Sequence, residues 1–222
     1  MMNTLKKYFI AKKEKGFTLV ETLVAITVLL LSIAAPLTIA AQALFSAYYA
    51  RDSITAYYLA EEAIEYVKNG RDTTFLNDVL NESVPVAGNT NWLLGFENCI
   101  DNGIDFVGCY VDATKPFNPY SVTDAVQSCT ASGLTECPPL NHCVSTADNV
   151  DTGLWGYGSI PCTGTPEVSK FTRKVVITPQ ENIAGLTEEA IITVTVTWLG
   201  RGYVSGVQSF VLTGAMLNWE RK

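Results

Sequence analysis

Hydrophobic and polar positions change character four times along the 222 residues. A basic opening, Lys6, Lys7, Lys12, Lys13 and Lys15 against Glu14, gives way at Thr22 to a run of 29 uncharged residues ending at Ala50. A helix needs roughly 20 apolar residues to cross about 30 Å of hydrocarbon, so the run predicts one transmembrane helix over about 19–43. The basic flank predicts a cytoplasmic N-terminus and an extracytoplasmic C-terminus. Beyond Ala50, Tyr57, Ala60, Ile64 and Val67 recur at helical spacing with Glu61, Glu62, Glu65 and Lys68 on the other side, a stripe that needs a covering element. Lys68-Asn69-Gly70 reads as a helix stop. A single helix over 17–69, about 80 Å long at 1.5 Å per residue, is therefore expected. Pro36 predicts a kink within it, with Ser32 one turn earlier placed to reoccupy the freed backbone groups.

The remaining residues, 70–222, are the size of one domain. Up to about Asp112, short apolar runs mix with Asn, Gly and Asp, and one strand is expected around Phe106 to Val111. Residues 113–166 are rich in Ser, Thr, Gly, Pro and Asn without a period, which predicts a loop-rich excursion. From 171 to 212 the period becomes two: Phe171 to Pro179, Ala190 to Leu199 and Tyr203 to Leu212 read as strands. Ile192, Val194, Val196 and Trp198 mark a buried face, and Gly200-Arg201-Gly202 marks a hairpin turn. The predicted class is α+β, a long N-terminal helix packed on an antiparallel sheet of about three to five strands.

Six cysteines, Cys99, Cys109, Cys129, Cys137, Cys143 and Cys162, all follow the apolar run. An even count in an exported, core-poor region predicts disulfides, with fifteen complete pairings open. Zinc is the competing reading, but no C-x-x-C pair occurs and His142 is the single histidine, so no metal or other cofactor is expected. Asp101, Asp105 and Asp112 do not have the order of a calcium loop and read as a solvated acidic surface. The aromatic run Leu154-Trp155-Gly156-Tyr157-Gly158 is either an exposed binding tip or a core plug.

Catalytic residues are not expected. One histidine leaves a single candidate base, no phosphate-binding glycine motif occurs, and Glu188-Glu189 would point to opposite sides of a strand. Beyond the basic opening, 10 basic residues face 21 acidic ones, an excess that disfavours duplex DNA, and no sequence-specific nucleic-acid binding is expected. Lys170, Arg173 and Lys174 form a local basic strip that reads as a solvated strand edge.

The junction between leader and apolar run is the most specific feature. Residues Lys15 to Leu29, KGFTLVETLVAITVL, resemble the class III signal of type IV prepilins and pseudopilins. The resemblance implies that residues 1–16 form a cytoplasmic leader removed by a prepilin peptidase/methyltransferase. Gly16 would then precede the cut, and Phe17 would be the N-methylated new terminus. Glu21, a carboxylate costly in a membrane without a partner, would pair with a neighbouring subunit's terminal amine during assembly. Removing the leader would change the net charge to −11. The segment YYLAEEAIEYVKNGRDTTFL, Tyr57 to Leu76, is similar to the stretch after the anchor in PilV-type minor pilins.

The implied function is that of a minor pilin incorporated into or priming a type IV pilus-like filament, with a possible part in adhesion or DNA uptake. Its implied partners are other pilin subunits, the pilus assembly platform and the cytoplasmic membrane. The alternatives are a pseudopilin of a type II secretion system or a membrane-anchored extracellular binding protein. Ala41-Gln42-Ala43 would suit an ordinary signal peptidase, but the apolar run far exceeds the roughly 7–15 residues of a usual signal core.

Overall fold

Thr18 opens the long helix α1, Leu19–Leu80, of 62 residues. Its hydroxyl accepts a hydrogen bond from Glu21 N at 3.2 Å, satisfying one of the amides that a helix start leaves unpaired. The computed structural model describes residues 16, 18–80, 92–101, 103, 106–119, 125–129, 136–144, 151–158, 165–181, 187–202 and 205–218. Residues 1–46 and 47–222 form two units.

In the first unit the helical side chains from Leu19 to Leu44 are exposed. Thr22, Thr27, Ser32 and Thr38 each donate their hydroxyl to the carbonyl three residues earlier, at 2.7–2.8 Å. Such internal pairing removes polar atoms from contention with an apolar surrounding. Pro36 lies inside α1. The Ser32 hydroxyl bonds Leu29 O at 2.7 Å, so it does not serve the carbonyl that Pro36 leaves without a donor.

In the second unit the helix does not stop at Gly70. It continues because Gly70 is a packing position: a Cβ there would lie 2.4 Å from the Phe96 ring. Phe96 is fully buried and stacks on Phe117 with centroids 4.6 Å apart. Thr74 follows one turn later with its hydroxyl on Gly70 O at 3.1 Å. The expected boundary at 69 is thus corrected, and the glycine serves close approach instead of a left-handed cap.

Among the described residues, seven strands form one antiparallel sheet: β1 Cys109–Val111, β2 Val126–Ser128, β3 Pro139–Val144, β4 Asp151–Gly156, β5 Thr165–Glu181, β6 Thr187–Gly200 and β7 Gly206–Leu217. Central β5 pairs with β6 on one side and with β3 and β1 on the other. β2 extends β1, β4 extends β3 and β7 extends β6. The count exceeds the expected three to five, because residues 113–166 contribute β2, β3 and β4 where only loops were expected. Their strands are three to six residues long, too short to imprint a period on a Ser- and Thr-rich stretch.

The inner face of β5 and β6 carries Phe171, Val175, Ile177, Ile192, Val194, Val196 and Trp198, all buried, as alternation predicts. It packs against Ala56, Leu59, Ala60, Ala63, Ile64 and Val67 of α1. Small residues let the helix approach closely, and at Gly214 of β7 an added Cβ would meet Ile64 at 3.2 Å. A short 3-10 turn, Glu97–Cys99, and the Cys99–Cys109 disulfide tie the preceding loop to β1.

Candidate anchoring and assembly site

Gly16 is exposed and an added Cβ would touch nothing within 4 Å. Phe17 lies outside the described residues. Glu21 occupies the first turn of α1 with its side chain exposed, where the helix dipole favours a carboxylate. Thr18-Leu19-Val20-Glu21 is also the spacing of a capping box, a signal in the sequence that the reading of Glu21 as an assembly residue passed over. One helix in the described residues, beginning at Leu19, is long and apolar enough to cross a membrane.

Two disulfides lie wholly among the described residues, Cys99–Cys109 and Cys129–Cys137. Cys143 is disulfide-bonded as well, and Cys162 lies outside the described residues. Both described bridges fasten the short β1–β2 edge, Cys109 being the first residue of β1 and Cys129 following β2.

The basic strip does not exist as a surface. Arg173 faces inward on central β5 and is 0% exposed. Its Nη1 donates to Glu62 Oε2 at 2.5 Å and Leu59 O at 2.9 Å, and its Nη2 donates to Val111 O at 2.7 Å. Period two put Arg173 in register with Phe171 and Val175, a signal that the cluster of neighbouring basic residues obscured. Lys170 pairs with Asp52 of α1 and lies 5.4 Å from the Phe171 ring centroid. At Arg173 and Lys174 β5 is paired with β6, so these two do not guard an open edge.

Asp112 also departs from the expected solvated surface, being 0% exposed. It accepts from Thr114 Oγ1 at 2.6 Å, Thr114 N at 3.2 Å and Tyr157 N at 3.4 Å, with Lys115 Nζ at 3.5 Å. Asp101 is exposed and accepts from Gly103 N at 2.9 Å, organising its own turn. Asp105 lies outside the described residues. Among the described residues no cluster of three metal-ligating side chains occurs.

The aromatic run is a strand and a core plug. Leu154, Trp155 and Gly156 end β4, and Trp155 stacks on His142 with centroids 5.2 Å apart. Tyr157 is buried and donates its hydroxyl to Arg173 O at 3.3 Å. Burial, with the Asp112 carboxylate adding to it against the opposing Arg173 guanidinium, pushes the Tyr157 hydroxyl up to about 12. Half-buried Tyr66 is pushed up to about 12 by burial first and Asp112 second. An open groove on the outer sheet face is bordered by Lys174, Thr172, Thr195, Thr197 and Val207.

Two comparisons, with curated proteins and with solved structures, give no match. Residues 11–35 match the family described as the prokaryotic N-terminal methylation motif. The matched segment contains Gly16, Glu21 and the start of the exposed apolar helix. It supports a membrane-anchored, type IV pilin- or pseudopilin-like protein processed by prepilin peptidase, with the α+β fold of a long helix on an antiparallel sheet.

Proposed function

We propose that the chain is a minor pilin, cut after Gly16, N-methylated on Phe17 and built into or priming a type IV pilus-like filament. The observation that carries this reading is the methylation motif over residues 11–35 running into an exposed apolar helix. In this reading residues 1–16 are the cytoplasmic leader, about 19–43 span the membrane once, and 70–222 lie outside the cell membrane. The disulfides suit that compartment.

Glu21 supplies the assembly contact by accepting the terminal ammonium of a neighbouring Phe17, an ion pair strengthened by low dielectric. Intact mass with N-terminal sequencing tests the processing: a methylated start at Phe17 is expected, and a start at Leu44 would replace it with signal-peptidase release. Glu21→Ala is expected to insert into the membrane normally and to be lost from sheared filaments. Normal incorporation would remove Glu21 from the contact. Recovery in envelope fractions alone, without long surface filaments, would favour a secretion pseudopilin, which shares the same motif.

A further inference from the structure

β7, Gly206–Leu217, is paired on one side only among the described residues. Its sequence, GVQSFVLTGAML, has no charged residue and no proline. Its twelve-residue register with β6 contains no bulge. Natural sheets blunt a long edge with charge, proline or a bulge, and β7 has none of these. The second unit nevertheless carries ten basic and twenty acidic residues, so the neutrality of this strand is local.

The hydrogen-bond direction along β7 is determined. Asn218 N donates to Glu188 O at 2.8 Å, which makes Glu189 and Leu217 a non-hydrogen-bonded pair, so the N–H and C=O of Leu217 point away from β6. Arg71 Nη1 takes the Leu217 carbonyl at 3.1 Å from that side. By alternation, Val207, Ser209, Val211, Thr213 and Ala215 also present their backbone groups to the open edge. Val207 and Val211 are 73% and 54% exposed.

We propose that this edge pairs with β7 of a second copy of the chain, antiparallel, about a twofold axis at Val211. In that register Val211 faces Val211, Ser209 faces Thr213, and Val207 faces Ala215, apolar against apolar and hydroxyl against hydroxyl. No charge opposes a like charge. Five hydrogen-bonded pairs make about ten N–H···O bonds, two per pair. The self-complementarity selects a second copy over an unrelated strand, and the isologous contact closes on itself. This pairing stands independently of the filament reading.

The test uses the full chain purified in detergent at about 100 µM, a range that detects weak association, with a photo-crosslinking phenylalanine analogue at Ser209. A covalent dimer is expected whose tryptic digest contains the peptide 202–221 joined to a second copy of itself. Val211→Lys places two ammonium groups across the axis and should lower the dimer yield at least tenfold. Thr213→Pro removes one open-edge N–H without touching the β6 ladder and should do the same. Unchanged disulfide mapping in both variants shows that they fold. Monomer alone, a dimer cross-linked outside 202–221, or a dimer insensitive to both substitutions would overturn the proposal.

Discussion

Arg173 of β5 and Glu62 of α1 are joined at 2.5 Å across the helix–sheet boundary, with the arginine side chain fully buried and the glutamate partly exposed. Besides the two carbonyls it reaches, Arg173 has an Nε that is buried without a partner among the described residues. The pair is therefore asymmetric: only one member depends on the other for its charge.

That asymmetry predicts the order of two substitutions. Glu62→Ala leaves a buried guanidinium uncompensated and should cost about 3–5 kcal/mol, whereas Arg173→Met, apolar and of similar reach, should cost clearly less. Urea unfolding followed by circular dichroism measures both. Equal costs, or the reverse order, would show that the guanidinium's carbonyl contacts dominate over its charge.

Gly70→Ala sets helix propensity against packing. Alanine gains roughly 1 kcal/mol in a helix interior. The new methyl would lie 2.4 Å from a fully buried ring that is itself stacked, and overpacking typically costs about 1–3 kcal/mol. A lower unfolding midpoint is expected, and a raised midpoint would mean that the Phe96–Phe117 stack gives way easily.

Non-reducing peptide maps after digestion with two proteases should show Cys99–Cys109 and Cys129–Cys137 bridges. The described bridges close loops of 10 and 8 residues, so replacing either pair by alanines should cost about 2–3 kcal/mol.

Alkaline titration should show Tyr66 and Tyr157 ionising late, because both are raised to about 12. An unfolded chain loses these protons near pH 10 while the native state keeps them. Their contribution is therefore complete below about pH 10 and is lost as pH rises toward 12. Tyrosinate absorbance in Tyr157→Phe should lack one late proton, and its stability should fall less steeply over that window.

Much of the second unit was legible in residue order where the period was long. The inward set Ile192, Val194, Val196 and Trp198 appears in a single alternating run, and the structure buries all four. The same rule applied to Phe171, Arg173 and Val175 puts an arginine in the core. Local charge gave the opposite impression, since Lys170 and Lys174 flank it and do face outward or sideways. The short strands β2, β3 and β4 left no period in a Ser- and Thr-rich stretch, and their pairing depends on β1 and β5, distant in the chain.

The chain's order of residues alone determined the basic opening, the methylation motif, the uncharged helix and the alternating strands, because each is a local pattern of charge or hydrophobicity. Tertiary structure decided what that order leaves open. Gly70 is a packing site and not a helix stop because Phe96 lies over it, Asp112 is buried because Thr114 and Tyr157 satisfy it, and two cysteine pairings are selected because the sheet brings their sulfurs together. Each of these depends on a partner that is specified by proximity in space, and residue order does not encode that proximity directly.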